Sequence, residues 1–217
     1  VRFCSKLTDI ITDNGKVIAV RVKDEKKEYE IQTDILVLAT GHSARDTFEM
    51  LIKNGADMER KVFAIGARIE HKQEDVNRSL YGKRWNNPNL PQGEYQLSYR
   101  QGERAVYTFC MCPGGTVVGA ASRTNAVCTN GMSPFARDGE NANAALLIDV
   151  RVEDFPDDHP LSGLILQREW EQKAFRAGGG NYKAPAQRVE DFLAGRPSEG
   201  PGAVQPTYRP GVRWCDL

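Results

Sequence analysis

The sequence has no excess of charge of either sign: 29 lysines and arginines balance 29 aspartates and glutamates over 217 residues. That balance argues against a broad nucleic-acid footprint, which needs surplus basic charge, although it leaves room for a local basic patch. No apolar run approaches the roughly 20 residues that a membrane helix needs, and Val1-Arg2-Phe3 starts no signal peptide. Neither a nucleic-acid nor a membrane partner is therefore expected. Position 1 is not a methionine and the chain opens on strand-like residues, which leads us to expect a piece of a longer protein. No internal repeat is present. No G-x-G-x-x-G follows a strand and no G-x-x-x-x-G-K-[ST] occurs, so the main pyrophosphate cradle of an independent dinucleotide-binding domain is missing. The five cysteines (Cys4, Cys110, Cys112, Cys128 and Cys215) are odd in number and irregular in spacing. They do not form a secreted disulfide framework, and reduced thiols in a cytoplasmic protein are expected.

What is present reads as a mixed α/β chain. With 40% hydrophobic residues, aliphatics and aromatics running through most of the length, it is not a disordered composition. Strands are expected over 2–12 and 16–22, joined by a hairpin at Asp13-Asn14-Gly15, with 29–32 continuing the meander beyond a solvated charge run. Ile35-Leu36-Val37-Leu38-Ala39 has five apolar residues without alternation, the pattern of a strand buried on both faces. Thr40-Gly41-His42 follows, and Ser43-Ala44-Arg45-Asp46 has the spacing of a helix capping box. Ala44, Thr47, Phe48 and Leu51 share one helical face, and Gly55 stops it. A further strand is expected over 62–70, and strands over 95–99 and 105–110 with a third over 116–121 are expected to make an antiparallel sheet. Helices are expected over 73–80, 164–177 and 189–194, with 195–211 as extended chain.

A strand that ends in Ala39-Thr40-Gly41 and feeds a helix suits a cofactor edge. Glycine lets backbone approach a ligand, and the helix start offers free N–H donors. The same arrangement also serves as a plain strand-to-helix connection. Residues 37–47 nevertheless resemble the second flavin-associated motif of an uncharacterised bacterial family of FAD-dependent dehydrogenases. The resemblance extends through Phe63-Ala64-Ile65-Gly66, Arg68-Ile69-Glu70-His71 and Cys110-Met111-Cys112-Pro113-Gly114-Gly115. It continues in Thr129-Asn130-Gly131-Met132-Ser133, in residues 137–143 and in Pro185-Ala186-Gln187-Arg188-Val189.

The resemblance implies a glutathione-reductase-like flavoprotein with an inserted second domain, of which this chain is interior. Residues 1–41 would be peripheral strands and the ATG strand of an incomplete FAD-binding domain. Residues 42–217 would be mainly the inserted substrate domain, with an antiparallel sheet, helices and an extended tail. FAD would be the cofactor, NAD(P)H the electron donor, and a small molecule the substrate; the oligomeric state stays open. The expected activity is that of an FAD-dependent oxidoreductase, a dehydrogenase passing hydride through flavin, with the piece inactive alone. The alternative is a non-catalytic protein- or RNA-binding module with a relic flavin-like turn.

Cofactor contact is expected at Ala39, Thr40, Gly41, His42 and Ser43. Cys110 and Cys112 are candidates for redox exchange beside a flavin, since thiolate character decides such reactivity. Two positions apart on a strand is awkward for an internal disulfide, and two small buried hydrophobes before a turn is the competing reading. His42 is a further acid–base candidate. Arg137, Asn141 and Asn143 offer a fork and amides for a carboxylate or phosphate, or alternatively cap loops, and Gly114 and Gly115 would allow close approach of a substrate or flavin. No metal site is expected. His71 is placed at the surface and His159 in a loop.

Overall fold

The computed structural model describes residues 1–217, which form two compact units. One comprises Val1–Arg60 with Asp158–Ser162, the other Lys61–Asp157 with Gly163–Leu217. The division expected between residues 41 and 42 falls inside the first unit. The fold is mixed α/β, with antiparallel sheets and four α-helices.

In the first unit β1 (Lys6–Asp13), β2 (Lys16–Lys23) and β3 (Glu28–Gln32) form an antiparallel meander. Asn14 and Gly15 both take positive φ, 48° and 76°, the turn that matches the twist of the flanking strands. Ile10, Ala19 and Val20 are buried. Arg21 bridges Asp9 and Glu30 across the three strands at 3.1 Å each. Helix α1 (Arg45–Lys53) is tied to β1 by Asn54, whose Nδ2 donates to Asp9 Oδ1 at 2.8 Å.

Two expectations fail here. Residues 35–39 form no strand, and Ile35 and Val37 are 74% and 82% exposed. The meander is complete at β3, and Thr33 Oγ1 folds back to the Ile35 carbonyl at 2.7 Å, so the run has no neighbouring strand to pair with. The Ser43 capping box is also absent: the residue before α1 is Ala44, with no side-chain cap. The first turn is served instead by Asp46, whose carboxylate accepts from the Thr47 N–H at 3.0 Å.

The second unit is built on a four-stranded antiparallel sheet. Its strands are β4 (Phe63–Lys72), β5 (Ser98–Gln101), β6 (Arg104–Cys112) and β9 (Asn141–Val150), in the order β4-β9-β6-β5. Helix α2 (Gln73–Tyr81) follows β4 directly. Strands β7 (Thr116–Gly119) and β8 (Thr129–Met132) pair separately, so the expected third strand near 116 joins a different sheet. Strand β9 is not among the expected strands; Asn141 and Asn143 at its start are expected to bind a substrate or cap loops. The start, Asn141-Ala142-Asn143-Ala144-Ala145, has low intrinsic strand preference. Pairing with β4 over ten residues and with β6 on the other edge overrides that preference.

Helix α3 (Ser162–Ala177), β10 (Ala184–Ala186), α4 (Val189–Leu193) and β11 (Val212–Trp214) complete the chain. Val117, Val127, Ala184 and Tyr208 form the buried cluster against which Ala174, Phe175 and Val212 pack. No helix is long and apolar enough to cross a membrane.

Candidate functional site

Strand β6 carries the feature on which a site can be built. Phe109 lies opposite Ala145 and Cys112 opposite Asn143, so β6 takes three steps where β9 takes two. The extra residue is a β-bulge, a device that re-aims side chains. Cys110 inside it has φ +49°, a left-handed conformation uncommon outside glycine. Cys110 is exposed, whereas Cys112 is buried beside Asn143.

Arg68, reaching from β4, holds the bulge. Its Nη1 donates to the Cys110 carbonyl at 2.9 Å and to Asn143 Oδ1 at 3.0 Å, and its Nη2 donates to Asn130 Oδ1 on β8 at 2.7 Å. Hydrogen bonds to a charged group are each worth about 1.5–3 kcal/mol net, so this guanidinium fixes three strands at one point. All three acceptors are neutral, which leaves its positive charge without a carboxylate in that set. Asn143 is fully buried and its Nδ2 has no partner. Gly131 closes the cluster: a Cβ there would stand 2.7 Å from Arg68 Nη1 and 2.8 Å from Cys112 Sγ, and closer still to Asn143 Oδ1. Burial pushes the Cys112 thiol above its usual range, against the pull of the neighbouring Arg68 cation.

The remaining residues expected to meet substrate are engaged within the protein. Gly114 N–H donates to the buried Gln73 Oε1 at 2.8 Å, and Gly139 N–H donates to the Gly114 carbonyl at 3.1 Å. The space beside Gly114 is filled by the Arg137 backbone, and that beside Gly115 by the Met132 carbonyl, so these glycines admit the chain's own backbone. Arg137 is exposed and ion-paired with Glu94. An exposed pair of this kind contributes only about 0–1 kcal/mol. Asn141 donates to Glu70 Oε1 at 3.2 Å and to the Gln205 carbonyl at 2.8 Å. The structure thus groups Cys110, Cys112 and Asn143 around Arg68, while Arg137 and Asn141 serve other contacts.

In the first unit Ala39, Thr40, Gly41, His42 and Ser43 are all exposed. Gly41 has φ +72° with open space beside it, and His42 Nε2 and Ser43 Oγ lie 3.3 Å apart.

Sequence reasoning missed Arg68, Asn130 and a second polar pair. Alternation along β4 was the available signal for Arg68, since it sets Arg68 and Glu70 on one face against Ala67 and Ile69 on the other. His71, expected at the surface, is half-buried and shares a 2.6 Å hydrogen bond with Tyr95 Oη. Burial lowers the His71 pKa, opposed by the Asp75 carboxylate, and raises that of the Tyr95 phenol. No group of three or more His, Cys, Asp or Glu side chains converges as a metal site.

The family model described as "FAD-dependent protein, C-terminal domain-like" matches residues 62–217. A Clostridium beijerinckii protein, described only as an uncharacterized protein, is 47% identical over 219 residues, covering 100% of this chain and 40% of the relative. The chain therefore spans less than half the length of that relative. A solved triple mutant of the flavin-dependent brominase Bmp2 covers 79% of this chain and 35% of its own, with 18% identity and a TM-score of 0.34. A likeness at that level carries no argument about reaction. The match across residues 62–217, on strands that hold the Arg68 cluster, shows that the chain belongs to the family of FAD-dependent proteins, C-terminal domain-like.

Proposed function

We propose that this chain is part of an FAD-dependent oxidoreductase, a dehydrogenase in which a reduced nicotinamide gives hydride to the flavin and an unidentified small molecule accepts it. The observation that carries this reading is the family match over residues 62–217. FAD, when bound, supplies the hydride-accepting and hydride-donating chemistry; protein groups bind, orient and tune it.

The residues of the first unit fit one edge of such a cofactor. At Gly41 the positive φ and the open space beside the residue, with residues 39–43 all exposed, leave this backbone approachable by a ligand. They do not supply a pyrophosphate cradle, and none is present in the sequence. In the second unit the Arg68 guanidinium, held by neutral acceptors only, offers a fixed positive charge to an anionic substrate or to negative charge at a flavin edge.

The test is a visible spectrum of this chain and of a family member of full length, each with added FAD, followed by anaerobic addition of NADH or NADPH. Flavin bands in the longer protein that bleach with a nicotinamide, and a colourless chain here, are the expected results. A longer protein that takes up no FAD would overturn the assignment and leave the binding-module reading in its place.

A further inference from the structure

We propose that Cys110 and Cys112 form a dithiol/disulfide exchange site whose substrates are low-molecular-weight disulfides. The inference is independent of the flavin reading and rests on the bulge of β6.

On a regular strand, residues two apart stand about 6.5–7 Å from each other on one face, at the far limit for a disulfide. Strand β6 is not regular there. The extra residue between Phe109 and Cys112 breaks the alternation, and the left-handed backbone of Cys110 turns its side chain out of the pleat. Cys112 Sγ lies 3.5 Å from the Cys110 carbonyl oxygen, so the inner sulfur turns back toward the backbone of the outer cysteine. The inner thiol is clamped: Gly131 leaves no room for even a Cβ on one side, and Gly115 would place one 3.0 Å from Cys112 Cβ. Downstream, Ser133 Oγ donates to the Pro113 carbonyl at 2.7 Å and fixes the exit of the pair. Two cysteines on one bulge, with the inner thiol held by its neighbours, are preorganised for ring closure.

Exposure assigns the order of events. Cys110 is exposed and meets the incoming disulfide; its thiolate attacks one sulfur, forming a mixed disulfide and releasing the first thiol. Cys112, buried beside it, then loses its proton and attacks the Cys110 sulfur, releasing the second thiol. Two protons leave the protein, and two electrons pass to the external disulfide, which is reduced to two thiols. Burial, which favours the protonated form of Cys112, keeps that sulfur from reacting first.

The experiment equilibrates the reduced full chain with oxidised and reduced glutathione, quenches in acid, alkylates and digests with trypsin. Residues 105–123 form one tryptic peptide that carries both cysteines. The expected product is that peptide two hydrogen masses lighter and free of alkyl groups. Cys112→Ser should instead accumulate glutathione on Cys110, and in the native reduced protein Cys110 should alkylate on the order of tenfold faster than Cys112. Should the Cys112→Ser chain fail to fold, the wild-type peptide mass and the alkylation order still decide the matter. Separate glutathione caps on both residues, or a peptide that stays fully alkylated, would overturn the proposal.

Discussion

Asp191 shows how one carboxylate can organise a stretch of chain that has little hydrophobic core. It is 1% exposed, and accepts from Ser198 Oγ at 2.7 Å, Arg188 Nε at 2.6 Å and Arg196 Nε at 2.7 Å. The Ser198 hydroxyl first, and then the Arg188 guanidinium, hold its pKa well below the usual carboxylate range. A group depressed in the folded state contributes stability above its unfolded pKa of about 3.9, and that contribution is lost as pH falls towards the folded value. Asp191→Asn should therefore unfold at lower urea than the wild type at pH 7, and the gap should narrow once the pH drops below about 4. Urea midpoints at pH 7 and pH 3 check this; a gap of equal size at both would show that the charge of Asp191 is not what stabilises the turn.

At the scale of elements, the bulge of β6 decides where the second unit's polar groups meet. Strain is local to it, because Cys110 occupies a left-handed conformation that costs a non-glycine residue roughly 1–2 kcal/mol. Glycine removes that cost while adding about 0.5–1 kcal/mol of chain entropy to be lost on folding. Cys110→Gly should thus range from neutral to about 1.5 kcal/mol more stable, whereas Cys110→Val, β-branched at a positive φ, should be destabilised by about 1 kcal/mol or more. Urea unfolding of the two variants separates these outcomes, and equal destabilisation by both would mean that the backbone there is not left-handed in solution. The bulge was not legible in the sequence, although the motif around it was. Strong local signals did carry through: Asn14-Gly15 gave its turn, and the helices expected over 73–80 and 164–177 form as α2 and α3. Strand β9 escaped because Asn and Ala have no strand signature, and only its two neighbours make it a strand. The site escaped for a related reason. Arg68 meets Cys110 across 42 positions of sequence, Asn130 across 62 and Asn143 across 75. Such a cluster exists only once the sheet order β4-β9-β6-β5 is known.

For the whole molecule, the sharpest conflict between sequence and structure is the run Ile35-Leu36-Val37-Leu38-Ala39. Its composition is that of a strand buried on both faces, yet Ile35, Val37 and Leu38 face water and pair with no strand. The chain spans only 40% of the length of the Clostridium beijerinckii relative. Contiguous exposed apolar side chains bind apolar dyes. The chain should therefore enhance the fluorescence of an anilinonaphthalene sulfonate, and Ile35→Lys combined with Val37→Lys should reduce that signal. Stability supplies the independent reading. At exposed positions the double substitution should shift the unfolding free energy by no more than about 0.5 kcal/mol per site. In a strand buried on both faces, two unpaired ammonium groups would cost several kcal/mol and unfold the unit. Dye binding that falls while the urea midpoint holds is the outcome the structure requires. Loss of the folded unit would mean that residues 35–39 are buried in solution and that the strand read from their composition is real.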